Sequence, residues 1–293
     1  MVLEYCLIII ATVLFSVQFL FTKKYQLCLG TGAEASFFHK AISPITFGLI
    51  LLIYSGFRIE ITWYALVLAL CGVGVSVGLA ILGLKALGMG TISNYSLYLL
   101  SGGMIIPVVY GAIMGEPFGL WKIISIICVV LAIAVKFDFK EKTDFKTYLL
   151  LFAIFILNGL SGVISSMHQK DVFGLGLSVS AHSFTMLKLF IGSLVGIIVF
   201  AIIAIKKRKE LKIQPFLKAI PWSIAEGVCN GVANFLLLLA LLKIDASMQY
   251  PIVTGGSIFL SAILPFIIYK EKPDLRGWIA VAFAITGTVV MIF

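Results

Sequence analysis

Long apolar runs recur along almost the whole chain and are separated by short polar stretches. Each run has the length of about eighteen or more residues, with few charges, that a helix needs to cross the hydrocarbon core of a bilayer. Runs of this kind lie near residues 2–22, 36–57, 63–84, 91–114, 118–136, 147–167, 179–205, 220–242, 246–269 and 275–293. The pattern predicts an all-α integral membrane protein with ten transmembrane helices.

A polar stretch of mixed charge near the middle of the chain divides these runs into two sets of five. We therefore expect a first five-helix repeat over residues 1–137, a connecting loop over 138–146 and a second five-helix repeat over 147–293. Because five is an odd number, the second repeat must enter the membrane from the side opposite to the first. Such inverted repeats are typical of secondary transporters, which bind their substrates between the two halves.

Short sequence echoes in the two halves support a duplication. In the same order, each half has a lysine in its second span, a tryptophan predicted to begin its third, a glycine pair in its fourth and a glutamate after the fourth. These residues are Lys40, Trp63, Gly102-Gly103 and Glu116 in the first half, and Lys188, Trp222, Gly255-Gly256 and Glu271 in the second. The shared order makes duplication the better account of the pattern.

With these features the chain resembles the drug/metabolite transporter superfamily, specifically its EamA-like branch. The resemblance rests on ten spans, a five-plus-five duplication, a basic residue in each second span and a glutamate closing each fourth span, and it covers nearly the whole chain. It implies a ten-helix basket around a central cavity, alternating access, and substrates such as amino acids or other small organic metabolites. Pro107 and Pro265 lie closer to the two glutamates than the family pattern has them.

Composition and charge agree with a membrane protein. Hydrophobic residues make up 61% of the chain and charged residues 12%, more apolar surface than a soluble domain of this length can bury. The net charge of +9 comes from basic residues at the ends of the spans, which predicts no nucleic-acid partner. By the positive-inside rule, the side that carries Lys206-Lys207-Arg208-Lys209 is cytoplasmic, which places both termini outside a cell membrane.

Polar residues within the eighth span form the clearest candidate site. Glu226, Asn230 and Asn234 are spaced by four and so share one face of a helix. A carboxylate in the membrane costs about 2.5–3.5 kcal/mol unless it faces a cavity or a partner. We therefore expect this face to line a cavity, with hydrogen bonding between helices as the alternative. Gly227 and Gly231 on a neighbouring strip predict close helix packing.

Two lysines within spans are further candidates. Lys188 lies so far into the seventh span that its ammonium group cannot easily reach the membrane surface, and we expect it to pair with Glu226 or to bind a substrate carboxylate. Lys40 lies nearer the end of its span, where reaching the surface is an equally good account. His39 beside it is expected to be a packing or interfacial residue rather than a ligand.

Bulky polar residues in four other spans complete the predicted substrate-binding set. They are Gln18 in the first span, Asn94, Tyr95 and Tyr98 in the fourth, Asn158 in the sixth, and Gln249 and Tyr250 in the ninth. The glycine pairs of the fourth and ninth spans have two possible roles. They interrupt their helices near mid-depth and expose backbone groups to a substrate, or they allow two helices to pack closely.

These residues predict a secondary active transporter that moves a small organic metabolite by alternating access. The two lysines suit a carboxylate, whereas Glu226 and the tyrosines suit an amine, so an amino acid or a similar zwitterion or amine is favoured. Glu226 is the candidate for coupling to H⁺, since it is the carboxylate deepest in a span. The expected partners are this solute, membrane lipids and the proton, with no cofactor.

The alternative is an integral-membrane enzyme that acts on a lipid-linked substrate. Such enzymes place a nucleophile, an acid or metal ligands at a membrane face. The chain has no HxxxxD, HExxH or GxSxG motif and no acidic metal-binding cluster. We therefore predict neither catalytic residues nor a metal site.

Overall fold

The computed structural model describes residues 2–89, 92–115, 119–136, 145–169, 173–207, 211–240, 246–270 and 274–290. These residues form ten α-helices and no strand. The helices are α1 (Val2–Leu29), α2 (Ala33–Tyr54), α3 (Trp63–Met89), α4 (Ile92–Ile113), α5 (Leu120–Lys136), α6 (Phe145–Gln169), α7 (Ala181–Lys206), α8 (Ile213–Ala240), α9 (Ala246–Tyr269) and α10 (Leu275–Val290). The prediction of an all-α protein with ten helices is confirmed for the described part of the chain.

Most of these helices have the length and composition of membrane spans. Six of them, α1, α2, α3, α4, α6 and α7, are long and apolar enough to cross a bilayer, and α5, α9 and α10 contain shorter apolar helical stretches. Large apolar side chains face outward in mid-helix, among them Ile9, Phe152 and Ile198. Outward-facing side chains of this kind are suited to contact with lipid. The helix α8, which carries Glu226, Asn230 and Asn234 in its middle, is not among these six.

The first helix continues beyond its predicted end at residue 22. It runs to Leu29 and includes Lys23 and Lys24. Lys23 donates a 2.6 Å hydrogen bond to the carbonyl oxygen of Leu87, and the ammonium group of Lys24 lies 5.4 Å from the centre of the Tyr269 ring. Because both cations have partners within the protein, the helix does not end where the charges begin.

The eighth helix begins earlier than predicted. It starts at Ile213 instead of residue 220, so Trp222 lies inside α8 and stacks on Phe21 with the ring centres 6.1 Å apart. Trp63, by contrast, is the first residue of α3 and is 61% exposed. The predicted equivalence of the two tryptophans as helix-opening anchors is therefore wrong.

The packing of the helices shows an approximate two-fold symmetry between the halves. When each helix is exchanged for the one five places away, the main contacts are preserved: α1–α8 becomes α3–α6, α4–α6 becomes α1–α9, and α2–α8 becomes α3–α7. The pairs α2–α7, α4–α9 and α5–α10 map onto themselves. Each half contributes an odd number of helices, so the halves run through the bundle in opposite directions, as the inverted repeat requires.

The glycine pairs pack helices together and do not interrupt them. Both α4 and α9 run without a break through their glycine pairs. A Cβ atom added at Gly102 would overlap the backbone of Phe155 in α6, and one added at Gly256 would lie 2.6 Å from a methyl group of Thr12 in α1. The interruption predicted as one possibility is therefore wrong, and the close-packing alternative is confirmed.

Hydrogen bonds and ion pairs at the helix ends show how the chain is threaded. We call the end where α7 finishes and α2 begins the basic end; there Lys207 lies 3.2 Å from Glu34. At the opposite end, where α7 begins and α3 begins, the backbone N–H of Ser180 donates a 2.8 Å hydrogen bond to Glu60. There the hydroxyl of Thr62 also donates to the carbonyl of Leu177 over 2.6 Å. Thus α2 begins at the basic end, whereas α3 and α7 begin at the opposite end.

Candidate functional site

A cavity of about 500 Å³ lies between the two halves of the bundle. Its walls come from α1, α2, α3, α4, α6, α7, α8 and α9, while α5 and α10 pack outside it. The lining reaches Gln169, the last residue of α6, and Ala181, the first residue of α7. The cavity therefore extends to the opposite end of the bundle.

Three polar side chains of α8 line this cavity, as their spacing predicts. Glu226, Asn230 and Asn234 all face it. The amide of Asn230 donates a 3.2 Å hydrogen bond to Glu226, and the amide of Asn234 donates a 2.6 Å bond to the side-chain oxygen of Asn230. The Glu226 side chain also accepts a hydrogen bond from the hydroxyl of Ser43 in α2. The prediction that this face of α8 lines a cavity is confirmed.

His39 of α2 is a partner of Glu226 that the sequence analysis did not identify. Its Nε2 atom lies 3.4 Å from the Glu226 carboxylate, and its Nδ1 atom lies 2.9 Å from the hydroxyl of Ser223. His39 is buried and packs on the ring of Tyr25 with the ring centres 4.6 Å apart, as expected of a packing residue, and it also lines the cavity. One sequence feature could have indicated this contact: His39 and Ser43 are four residues apart and hence lie on one face of α2.

Close packing of α2 against α8 brings these groups together. A Cβ atom added at Gly227 would overlap the carbonyl of Ser43, and one added at Gly231 would overlap the ring of Phe47. The predicted role of Gly227 and Gly231 as a close-packing pair is therefore confirmed. Because α2 belongs to the first half and α8 to the second, Glu226 is held by residues of both halves.

The two lysines both point into the cavity and both bond to serine hydroxyls. Lys40 donates a 2.7 Å hydrogen bond to Ser76 in α3, and Lys188 donates a 3.1 Å bond to Ser165 in α6. The surface-reaching alternative for Lys40 is therefore wrong. Within the described residues neither ammonium group has a carboxylate within 4.0 Å, so the predicted pairing of Lys188 with Glu226 is also wrong.

Gln18, Asn158 and Tyr95 also line the cavity. Gln18 is 7% exposed, and its side-chain oxygen has no hydrogen-bond partner among the described residues. The amide of Asn158 donates a 2.7 Å hydrogen bond to the carbonyl of Leu99. Gln18 therefore leaves one buried acceptor free in the cavity wall.

The structure does not bring Tyr98 to the cavity. It lies on α4 among buried apolar residues that include Ile154 and Leu151 of α6. On the same helix, Tyr95 is both part of this apolar cluster and part of the cavity wall. Tyr98 is thus a packing residue, because its face of α4 turns towards α6.

Several predicted residues lie outside the part of the structure that is described. The side chains of Asn94, Gln249 and Tyr250 belong to this group, and so do Glu116 and Glu271 in full. On the other hand, α3 contributes Gly72, Ser76 and Gly83 to the cavity wall, which the sequence analysis did not predict.

An apolar layer separates the cavity from the basic end. Tyr25 is fully buried there with Leu84 and Ala219, and its hydroxyl donates a 2.5 Å hydrogen bond to the carbonyl of Ala35. The hydroxyl of Tyr269 donates a 3.0 Å bond to the carbonyl of Leu20 nearby. The cavity is therefore closed towards the basic end.

At the opposite end, Glu60 in the loop before α3 is held beside the first turn of α7. The backbone N–H and the hydroxyl of Ser180 hold the pKa of Glu60 below its ordinary value of 4.5. The backbone N–H of Glu60 in turn donates a 3.1 Å hydrogen bond to the hydroxyl of Ser183. These bonds join α3 and α7 beside Ala181, where the cavity reaches the end of the bundle.

Two interlocked halves of membrane-length helices, with a polar cavity between them, define the class of the molecule as a multi-pass membrane protein. The sequence model of the EamA-like transporter family matches residues 145–293, just over half of the chain. The chain therefore belongs to the EamA-like transporter family and is a membrane transporter of the drug/metabolite transporter superfamily. Transporters of this family carry small solutes and are not enzymes, which agrees with the prediction from the sequence.

Solved structures share the fold. Fifteen chains match, and one of them, titled only "Crystal structure of protein", is 16% identical in sequence with a TM-score of 0.61. The match covers 96% of this chain and 96% of that chain. No curated protein matches the sequence.

Proposed function

We propose that this protein is a secondary active transporter that moves an amino acid, or a similar zwitterion or amine, across the cell membrane by alternating access. The observation that carries this proposal is the cavity between the halves, which holds two lysines and a glutamate and is closed at one end by the layer around Tyr25. A transporter of this kind exposes one central site to each side of the membrane in turn.

The polar groups of the cavity favour a zwitterion over a simple amine. Lys40 and Lys188 offer ammonium donors to a carboxylate. The free acceptor of Gln18 suits an amine N–H. Glu226 already accepts hydrogen bonds from Ser43 and Asn230, which supports a role in charge compensation and not as the direct ligand of the amine.

Alternating access follows if the two repeats rock against each other. We place the repeats at residues 1–137 and 147–293 with the connection at 138–146, and the start of the family match at residue 145 supports this boundary. With the basic end in the cytoplasm, as its charges favour, the cavity faces the outside in the present conformation. If each half took up the packing that the other half now has, the basic end would open and the opposite end would close.

Glu226 is the group that we propose to couple transport to protons. It is the one carboxylate among the cavity-lining residues that the structure describes. His39 contacts it, while Lys40 and Tyr95 line the same cavity. Protonation of Glu226 removes the negative charge that His39 and the hydroxyl of Ser43 now stabilise, so it weakens contacts between the two halves.

The test is uptake into liposomes that contain the purified protein. A thermal-shift screen against amino acids, amines and sugars first identifies a solute, because a bound ligand raises the stability of the folded protein. We then expect a pH gradient to drive uptake of that solute by the wild type. Glu226→Gln should abolish the pH-driven component while the protein stays folded, because the amide cannot take up a proton.

The matched control is Glu34→Gln, which removes a carboxylate at the basic end that contacts Lys207 and does not line the cavity. This variant should retain pH-driven uptake. Unchanged pH dependence in Glu226→Gln would remove Glu226 from the coupling mechanism. Absence of uptake of every solute by the wild type would contradict the transport function itself.

A further inference from the structure

The two cavity lysines converge on one wall although they belong to different halves. Lys40 reaches Ser76 on α3 with its ammonium group. Lys188 packs against Gly72 on the same helix, where an added Cβ atom would lie 3.1 Å from its Cδ atom. Positions 72 and 76 are one helical turn apart, about 6 Å along the axis of α3. The two side chains therefore cross the same short segment of the cavity wall.

The two lysines also occupy equivalent places in the repeat. Each lies in the second helix of its half, and each is followed eight residues later by a glycine, Gly48 or Gly196. Both glycines lie in the α2–α7 contact: Gly48 packs on Phe190 of α7, and Gly196 packs on the backbone of Ala41 in α2. The approximate two-fold axis therefore relates the positions of the two lysines in α2 and α7, whereas their ammonium groups bond to different helices, α3 for Lys40 and α6 for Lys188.

Among the described residues, no carboxylate lies directly beside either lysine of the cavity wall. Neither lysine has a carboxylate within 4.0 Å among the described residues, and each bonds instead to a neutral serine. The nearest acid of the cavity, Glu226, is engaged by His39 and Ser43. Two ammonium groups against one carboxylate leave an excess of positive charge in a low-dielectric site, which an anionic solute would neutralise.

On the basis of the proposed transport function, we propose that Lys40 and Lys188 together bind the two carboxylates of one solute. The substrate class is then a short dicarboxylate of the acidic amino acid type. A compact molecule of this class can offer one carboxylate to each lysine, to Lys40 beside Ser76 of α3 and to Lys188 beside Ser165 of α6. Its single net negative charge matches the excess positive charge of the wall, and Gln18 supplies the free acceptor for its amino group.

The inference is tested by comparing acidic amino acids with their neutral amides. Thermal shift and liposome uptake are measured with aspartate, glutamate and succinate, and in parallel with asparagine, glutamine and inorganic phosphate. We expect the wild type to bind aspartate or glutamate at least about tenfold more tightly than the matching amide, because the amide leaves one lysine without an anion. Succinate should compete, more weakly because it lacks the amino group.

Variants of the lysines separate their roles. Lys40→Met and Lys188→Met should each lower the affinity for the acidic amino acid about tenfold or more and abolish the preference over the amide. Lys40→Arg and Lys188→Arg keep the charge and should retain part of that preference. Lys218→Met, at an exposed position near the start of α8, should behave as the wild type. Thermal unfolding without solute shows whether each variant is folded.

Some outcomes would overturn the inference and leave the proposed transport function intact. One is uptake of neutral amino acids at the same affinity as acidic ones, with the lysine variants unaffected. Another is strongest binding of inorganic phosphate, which would mean that both lysines hold a single anionic group. Failure of the wild type to transport any solute would instead count against the proposed function.

Discussion

At the scale of single residues, the charged side chains of the cavity wall are held by hydrogen bonds to polar neighbours. Glu226 accepts hydrogen bonds from two helices, and Lys40 and Lys188 each bond to a serine. In hydrocarbon each such group would cost about 2.5–3.5 kcal/mol, so these contacts explain how the chain tolerates them. Outside the spans, Glu60 also accepts a hydrogen bond, from the backbone N–H of Ser180.

We expect Glu60 to stabilise the opposite end in a pH-dependent way. Its folded pKa lies below 4.5, so its stabilising effect is present above about pH 4.5 and is lost as the pH falls through the folded value. Glu60→Gln should therefore lower the melting temperature slightly at neutral pH, and the difference from wild type should disappear near about pH 3. Differential scanning fluorimetry in detergent across this pH range measures it.

The control for this prediction is Arg58→Gln, which removes an exposed charge from the same loop. Its effect on the melting temperature should not change over the acidic range. A difference between wild type and Glu60→Gln that does not shrink at any pH below 4.5 would contradict the assignment.

At the scale of helices, glycines set how closely the two halves approach. Gly102 of α4 contacts the backbone of Phe155 in α6, and Gly227 of α8 contacts the backbone of Ser43 in α2. Without a hydrophobic driving force between helices in lipid, such contacts are a main source of association. The glycine pairs therefore act through packing and not through a local break in the helix.

Gly102→Ala should destabilise the fold, because its new methyl group would overlap the backbone of α6, which cannot rotate away as a side chain can. Overpacking of this kind costs about 1–3 kcal/mol. Gly74→Ala on α3 is the matched control, since a Cβ atom there meets nothing within 4 Å. It should be neutral or slightly stabilising, as alanine favours helix over glycine by about 1 kcal/mol. Equal melting temperatures of the two variants would contradict this account.

The sequence predicted those features that depend on local periodicity. The lengths of the apolar runs predicted the ten helices, and the spacing of four between Glu226 and Asn230 predicted that both side chains face a cavity. It did not reveal that His39 meets Glu226, or that α3 forms part of the cavity wall. Both depend on the register between helices far apart in sequence, which side-chain periodicity does not encode.

At the scale of the whole molecule, the structure combines one closed end with a cavity that reaches the other. The closed end depends on the buried layer that includes Tyr25 and on the hydrogen bond from its hydroxyl to Ala35. At the opposite end, the hydrogen bond between Glu60 and Ser180 lies beside the cavity and does not span its opening. The equilibrium between the two access states therefore depends on contacts at both ends.

Tyr25→Phe should favour opening of the basic end. Loss of one buried hydrogen bond is worth about 1 kcal/mol, or about a fivefold change in the equilibrium. The readout is a single cysteine introduced by Ser161→Cys in the cavity wall, with the five native cysteines replaced. A membrane-impermeant thiol reagent applied at the basic end should label this variant about fivefold faster than the same reporter with Tyr25 intact.

Tyr54→Phe provides the control, because Tyr54 is 67% exposed at the far end of α2. It should leave the labelling rate unchanged. Equal labelling of the Tyr25→Phe variant and its parent would show that this hydrogen bond does not hold the basic end closed.

The contact of Glu226 with His39 and Ser43 has a kinetic consequence. These bonds join the two halves, so any movement of one half past the other must break or rearrange them. The same carboxylate would then influence both the ion dependence of transport and the height of the barrier between conformations. A substitution that alters one of these properties should alter the other, and turnover and energetic coupling could not be adjusted separately at this position.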